Sequence, residues 1–178
     1  EILAKRKEYG YWNKSDRFTA VLSGTTRAGN SHNAVLDSIR KINGSVDESV
    51  YPSHVDDFNW NEFYSQVPTD IQEKGILFAN DYDIGYELIY NTATGIKEGL
   101  KYSPVLTGGY AWYKNGDLYY SAGNANHSFI IVGYLQNKYW LAYDSYEPFL
   151  KKLDWNFKFN FSKVITLNKR NEIFDLVK

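Results

Sequence analysis

The spacing of apolar residues predicts helices in the first part of this chain. In residues 31–42 four apolar side chains, the last of them Ile42, fall on one helical face, and Gly44 follows the segment. Residues 1–9 have the pattern of the last turns of a helix that ends at Gly10. Three shorter helices are predicted at residues 59–67, from Pro68 to a stop at Gly75, and at residues 92–100.

Apolar and polar residues alternate in the second part, which is the period of a half-buried strand. Strands are predicted at residues 84–90, 105–106, 118–120, 127–134, 139–144, 157–161 and 164–167. The dipeptide Asn115-Gly116 is typical of a tight hairpin turn. We therefore expect an α+β fold in one domain over residues 1–178, with a mainly helical part at 1–103 and an antiparallel β part at 104–178.

The composition narrows the possible partners. Hydrophobic residues make up 43% and charged residues 23%, which is typical of a folded globular domain. The net charge of −1 provides no basic surface for a phosphate backbone, so nucleic acid is not an expected partner. Apolar runs such as Phe129–Val132 are too short to cross a bilayer, so no membrane contact is expected either.

The chain contains no cysteine and no methionine. Disulfides and thiolate metal sites are therefore excluded. The lack of an initiator methionine predicts a processed product, a fragment or an excised piece. His54 with Asp56 and Asp57 has no recognised metal-ligand spacing, so neither a metal nor another cofactor is expected.

His127 and Asp144 are the best candidates for chemistry. His127 stands at the start of the most apolar predicted strand, and Asp144 closes the next one after a polar turn. This pattern predicts that the two side chains lie together at one end of a two-stranded ribbon. An imidazole whose one nitrogen is held by a carboxylate can accept a proton at the other. A purely structural His–Asp hydrogen bond explains the spacing equally well.

Two segments around this pair resemble a known family. Residues 126–134 read Asn-His-Ser-Phe-Ile-Ile-Val-Gly-Tyr, and residues 139–146 read Tyr-Trp-Leu-Ala-Tyr-Asp-Ser-Tyr. They are similar to the histidine and asparagine strands of papain-like cysteine peptidases. Gly29-Asn30-Ser31 resembles that family's glycine-rich substrate segment, and Tyr51-Pro52 resembles its Tyr-Pro turn. The sequence is most similar to divergent members from bacteriophage and bacterial genomes.

The resemblance implies roles for individual residues. His127 would be the general base and then the general acid of peptide hydrolysis, and Asp144 would orient it. Gly29 and Asn30 would bind the substrate backbone, and Asn126 and Tyr146 would also contact substrate. Two positions depart from the family, because Asp144 replaces its asparagine and Tyr146 replaces its tryptophan.

The nucleophilic cysteine of that family is missing here. In the family it precedes the histidine by roughly 130–150 residues, which would place it before Glu1. We therefore expect this chain alone to be inactive and to associate with a companion N-terminal segment or with itself. Four serines are candidates for a substitute nucleophile, and none follows the pattern of an activated one: Ser15, Ser23, Ser31 and Ser128.

Two other functions remain open from the sequence. A papain-like module without catalysis could bind a peptide or protein partner in a phage or bacterial protein. A carbohydrate-binding or virion structural domain could instead use an aromatic stacking surface of Trp112, Tyr113, Tyr119, Tyr120 and Tyr139.

Overall fold

The computed structural model describes residues 2–54 and 59–170. The chain divides into two compact units. The first runs to Gly85 and takes in the chain from Leu167, and the second comprises Tyr86–Thr166. That both belong to one papain-like domain over residues 1–178 stays a prediction.

The helices before Tyr82 form most of the first unit. They are α1 (Ile2–Arg6), α2 (Asp16–Leu22), α3 (His32–Asp37), a π-helical segment (Ser38–Asn43), α4 (Trp60–Phe63) and α5 (Thr69–Asp81). Helix α2 was not predicted, although Ser15 caps its first turn by accepting a hydrogen bond from the Phe18 N–H. The core of this unit consists of Phe18, Val46, Tyr51 and Val67.

The predicted helix at residues 31–42 is present, but its second half is wound differently. The Ser31 hydroxyl accepts a hydrogen bond from the Ala34 N–H at the start of α3. From Ser38 the chain continues as a π-helix, whose wider turn changes the direction of the side chains that follow. Ile42 is consequently 65% exposed rather than part of a buried apolar face.

The prediction that Gly75 stops a helix is wrong. Helix α5 runs through it to Asp81, and Gly75 is buried. A Cβ atom at this position would lie 2.4 Å from the Asn43 carbonyl oxygen and 2.4 Å from Cζ of Phe18. Gly75 therefore lets the Asn43 backbone and the Phe18 ring pack directly against helix α5, and it does not break the helix.

Among the described residues, six strands form one sheet in the order β1-β6-β2-β3-β4-β5. Their bounds are β1 (Tyr82–Leu88), β2 (Val105–Asn115), β3 (Leu118–Leu135), β4 (Tyr139–Tyr143), β5 (Leu150–Asp154) and β6 (Phe159–Lys169). From β2 to β5, each strand pairs antiparallel with the next one along the chain, and β6 pairs antiparallel with β2. The α+β class, with helices first and an antiparallel sheet second, is confirmed.

Strand β3 is longer than the apolar pattern predicts. It joins the two predicted strands at residues 118–120 and 127–134, so His127 lies within β3 and does not open a strand. The intervening residues are mostly small and polar, but their backbone still pairs with β2 through register shifts near Tyr110. Backbone pairing does not require apolar side chains, which is why the sequence pattern misses this stretch.

The core of the second unit combines residues of the sheet with one residue of helix α6 (Ala93–Leu100) and one of the segment between β5 and β6. It consists of Ile96, Val105, Phe129, Ile131, Trp140, Ala142, Leu153, Phe157 and Val164. Helix α6 begins at the predicted place, with Thr92 as its N-cap. Its Gly99 allows close packing, because a Cβ there would lie 2.7 Å from Cδ1 of Ile89.

Within the described ranges, none of the helices is long and apolar enough to span a bilayer.

We predict that Gly75→Ala destabilises the first unit. In an open helix this change stabilises by about 1 kcal/mol, but here the added methyl group overlaps backbone and ring atoms. We expect the free energy of unfolding to fall by about 1–3 kcal/mol in urea titrations. Gly133→Ala is the matched control, since a Cβ there meets nothing within 4 Å. A Gly75→Ala protein as stable as the parent would contradict this account.

Candidate active site

Strand periodicity places His127 and Asp144 on the same face of the sheet. His127 shares the inner face of β3 with the buried residues Phe129 and Ile131. Asp144 directly follows β4, whose inner residues include Ala142. Ile131 pairs with Ala142, so extending the register puts Asp144 beside Phe129, the inner neighbour of His127.

The two side chains are in contact. Nε2 of His127 lies 2.6 Å from Oδ1 of Asp144. A carboxylate can only accept, so Nε2 carries the proton and donates it, and Nδ1 of the neutral ring keeps a lone pair. The carboxylate is fully buried, whereas the imidazole is 24% exposed. The arrangement leaves a fixed imidazole with a basic nitrogen available at a partly open position.

Backbone contacts fix the position of the carboxylate. The N–H of Ser145 donates a hydrogen bond to Oδ1 of Asp144 at 2.8 Å. The Asp144 N–H donates to the carbonyl of Phe149 at 2.8 Å, which closes the loop between β4 and β5. Rotation of the Asp144 side chain away from His127 would therefore also break the hydrogen bond from the Ser145 N–H.

Lys151 provides the countercharge that the sequence analysis missed. Its Nζ lies 2.8 Å from Oδ2 of Asp144, and its side chain is only 3% exposed. The contact is an ion pair by distance, although it does not have the direction of a standard hydrogen bond to Oδ2. A signal was present in the sequence, because Lys151 is two residues from the buried Leu153 and so shares its face of β5.

The charge state of Asp144 follows from these neighbours. Burial works to raise the pKa of the Asp144 carboxyl, but the Lys151 ammonium and the imidazole of His127 outweigh burial and lower that pKa below its ordinary value. Asp144 is therefore an anion at neutral pH. A buried anion of this kind needs its cationic partner, because an unpaired charge in the interior is costly.

The imidazole opens onto a cleft of about 270 Å³ lined by Trp112, Asn126, His127 and Tyr146. The Trp112 ring centroid lies 5.0 Å from that of His127, with the planes nearly perpendicular at 82°. The Tyr146 ring lies 5.5 Å away on a tilted plane and is itself 67% exposed. Asn126 and Tyr146 were predicted to contact substrate, and both line this cleft. Trp112 was predicted only as part of a possible aromatic stacking surface and not as a residue of the peptidase site.

The aromatic residues proposed as a sugar-stacking surface are mostly engaged elsewhere. Trp112 packs against Phe129 and Phe157 at centroid distances of 5.2 and 6.1 Å. Tyr113 and Tyr120 stack on each other at 5.6 Å. These contacts fill space between neighbouring side chains and do not favour the carbohydrate-binding hypothesis.

Gly29 and Asn30 lie in the first unit, in a loop that is internally bonded. The Gly29 N–H donates to the carbonyl of Thr26, and the Gly29 carbonyl accepts from the Thr26 N–H. The Asn30 amide donates to the Ser23 carbonyl and to the Thr25 hydroxyl. Substrate binding by the Gly29 N–H would therefore require that one of these hydrogen bonds opens first.

Three of the four candidate serines have local structural roles. Ser15 and Ser31 accept hydrogen bonds as helix N-caps, and the Ser23 hydroxyl donates to the Ala20 carbonyl. Within residues 2–54 and 59–170, no three His, Asp or Glu side chains lie close enough to hold a metal ion. Asp56 and Asp57, which the sequence places near His54, lie outside the described residues.

The fold of this chain is shared with a solved protein structure. The chain is similar in structure to a clostridial cysteine protease, Cwp84, solved after propeptide cleavage with a cysteine replaced by alanine. The TM-score is 0.72, the sequence identity is 14%, and the match covers 96% of this chain and 50% of that one. The chain has a papain-like fold. It spans about half the length of this structural relative.

No protein-family profile matches the sequence, and no curated protein matches it. At 14% identity the structural likeness establishes the papain-like fold and not an activity. The roles of His127, Asp144, Gly29, Asn30, Asn126 and Tyr146 therefore remain predictions.

We predict that Asp144→Asn destabilises the protein in a pH-dependent way. Near pH 7 the free energy of unfolding should fall by about 3 kcal/mol, because the buried Lys151 cation loses its anion. In the folded protein the pKa of Asp144 lies below the ordinary carboxyl value. The stability that this carboxylate contributes is therefore complete above the ordinary value and is lost as the pH falls through the pKa of the folded state. Urea unfolding of both proteins between about pH 7 and pH 2 should show the difference shrinking in acid. A difference that does not change with pH would refute this assignment.

Proposed function

We propose that this chain is the part of a papain-like cysteine peptidase that carries the base and its orienting acid. It would resemble the divergent phage and bacterial members of that family, because of the similarity of residues 126–134 and 139–146. The observation that supports this proposal is the 2.6 Å contact between His127 and a fully buried Asp144, beside an open cleft on a papain-like fold. The nucleophilic cysteine would come from polypeptide outside these 178 residues.

The reaction would be peptide hydrolysis through a thioester. Nδ1 of His127 would take the thiol proton, and the sulfur would attack the scissile carbonyl carbon. The imidazolium would then give its proton to the leaving amine as the C–N bond breaks, which leaves an acyl-sulfur bond. Water would attack that acyl group with Nδ1 again as base. The carbon–sulfur bond would then break, the carboxylic acid would be released, and the sulfur would regain its proton from the ring.

The chain's own residues support each proton transfer. Asp144 holds Nε2, so the same tautomer of His127 is presented at each step. The buried anion also stabilises the imidazolium that forms transiently. Tyr146 and Trp112 flank the ring and limit the access of water to it. An extended peptide in the cleft would contact Asn126 and Tyr146. Substrate binding by Gly29 and Asn30 of the first unit is proposed from the family resemblance alone.

The proposed companion segment, or a second copy of the chain, is supported by exposed apolar side chains. In the first unit Ile42, Ile76 and Leu77 are 65%, 45% and 62% exposed. Apolar surface of this kind is favourably covered by another polypeptide.

The alternative is a non-catalytic papain-like module that binds a peptide or protein partner. The observation that favours it is the absence of any cysteine from the 178 residues. The His127–Asp144 contact would then be structural, and the cleft would serve only for binding.

We predict that the natural protein containing this chain reacts with a thiol-directed peptidyl epoxide at one cysteine outside residues 1–178. His127→Ala should reduce the labelling rate by about 100-fold or more, since the base that generates the thiolate is lost. Intact-mass and peptide mass spectrometry would measure both the rate and the position of the label.

His54→Ala is the matched control, because His54 is exposed and outside the cleft. Labelling that is equal in His127→Ala and in the parent would mean that the histidine activates no thiol. No labelling and no peptide hydrolysis by the full protein would favour the binding module.

We predict that Tyr146→Ala lowers kcat/KM for a peptide substrate of the full protein by roughly three- to ten-fold. The change removes one wall of the cleft and the ring that packs on His127, a contact worth about 0.5–1.5 kcal/mol. Tyr143→Ala is the matched control, since Tyr143 is also exposed but lies outside the cleft lining. Equal effects of the two substitutions would remove Tyr146 from the site.

A further inference from the structure

We infer that Lys151 is a positioning residue of this site: it forms one net-neutral unit with Asp144, so that His127 can both accept a proton and release it. The inference rests on the proposed function for its catalytic meaning. The charge pairing itself can be measured whether or not the protein cleaves peptides.

Three acceptors surround the Lys151 ammonium. Nζ lies 2.8 Å from Oδ2 of Asp144, donates to the Pro148 carbonyl at 2.8 Å, and donates to the Tyr146 carbonyl. Two of the three N–H donors of the ammonium group are used by the carbonyls, and the Asp144 carboxylate is held by its charge. One buried cation therefore fixes the acid that orients His127 and also the loop that carries the Tyr146 ring.

Aromatic rings hold the ammonium from the other side. Nζ lies 5.6 Å from the Trp112 ring centroid and 5.8 Å from that of Tyr119. A cation over an aromatic face is stabilised by the ring quadrupole, most of all where water is excluded. Trp112 thus contacts both the imidazole and the lysine, which makes the cleft wall and the charge pair one packed group.

The charge balance explains why this lysine matters to His127. Without Lys151, the imidazolium would be the cation next to the buried carboxylate, and the ring would be held in its protonated form. A ring held as imidazolium accepts no proton, and a more basic ring is a weaker acid toward the leaving amine. Lys151 compensates Asp144 at Oδ2 and leaves the contact at Oδ1 to orient the ring.

The titratable groups near this unit come from three elements. His127 and Tyr119 lie on β3, Asp144 and Tyr146 lie in the loop after β4, and Lys151 lies on β5. Strand β2 contributes the uncharged ring of Trp112. Asp144 contacts both the Lys151 ammonium and the His127 ring, so removal of Lys151 should affect His127 through this carboxylate.

The test is an NMR pH titration of the His127 ring in the natural protein that contains this chain. The resonance is assigned by its loss in His127→Gln. In Lys151→Met the midpoint of the titration should move upward by about one pH unit, because one cation near the carboxylate is gone. Lys151→Arg keeps the charge and should stay within about 0.3 units of the parent.

Lys152→Met is the matched control. Lys152 is the neighbouring lysine on the exposed face of β5. Its substitution removes the same charge but leaves the contact between Lys151 and Asp144 intact. An equal shift in Lys152→Met and Lys151→Met, or no shift in Lys151→Met, would overturn the inference.

A double substitution covers the case in which Lys151→Met does not fold. Asp144→Asn with Lys151→Met removes both charges, and replacing a buried pair by neutral groups is often tolerated. We expect the double variant to fold and to be more stable than either single variant in urea. A double variant as unstable as the single ones would show that Lys151 acts by packing and not by charge.

The kinetic readout separates this inference from the proposed function. If the protein is a peptidase, Lys151→Met should shift the pH profile of kcat/KM in the same direction as the NMR midpoint, and Lys151→Arg should restore it. If the NMR midpoint shifts in a protein that cleaves no peptide, the inferred charge pairing is supported and the proposed peptidase function is refuted. If the protein cleaves peptides but Lys151→Met changes neither the NMR midpoint nor the pH profile, Lys151 is not a positioning residue. The proposed function would still stand in that case.

Discussion

The buried carboxylate of Asp144 is the constraint on which the second unit depends. One oxygen accepts from His127 and from the Ser145 N–H, and the other faces the ammonium of Lys151. An anion in this position without such partners would cost several kcal/mol, so β3, β4 and β5 must bring the partners to it. The loop after β4 has to close as well, since the Asp144 N–H bonds to Phe149.

The same strands supply both the core and the chemistry. Along β3 the inner positions go from the imidazole of His127 to Phe129 and Ile131, so a polar group stands at the end of an apolar row. Lys151 and Leu153 repeat this arrangement on β5. The rigidity that packing gives to the apolar residues therefore extends to the polar ones, as a papain-like peptidase would require for repeated proton transfer.

The sequence predicted most of the elements but few of their limits. The α+β order, the helix at residues 92–100 and the ribbon of β3 and β4 all follow from apolar spacing. The pattern did not reveal that β3 continues through small polar residues before His127, because backbone hydrogen bonds to β2 hold that stretch. The stop predicted at Gly75 was wrong for a related reason, since glycine there serves a close contact with Asn43 and Phe18.

By itself, the sequence determined the fold class and the neighbourhood of His127 and Asp144, because strand periodicity and a short turn bring those residues to one face. Only the tertiary structure established that one of two adjacent lysines contacts the Asp144 carboxylate. Lys151 and Lys152 are chemically identical, and the pairing of β5 with β4 buries one beside Asp144 and leaves the other exposed. Charge pairing across strands depends on register, and register is a property of the folded sheet.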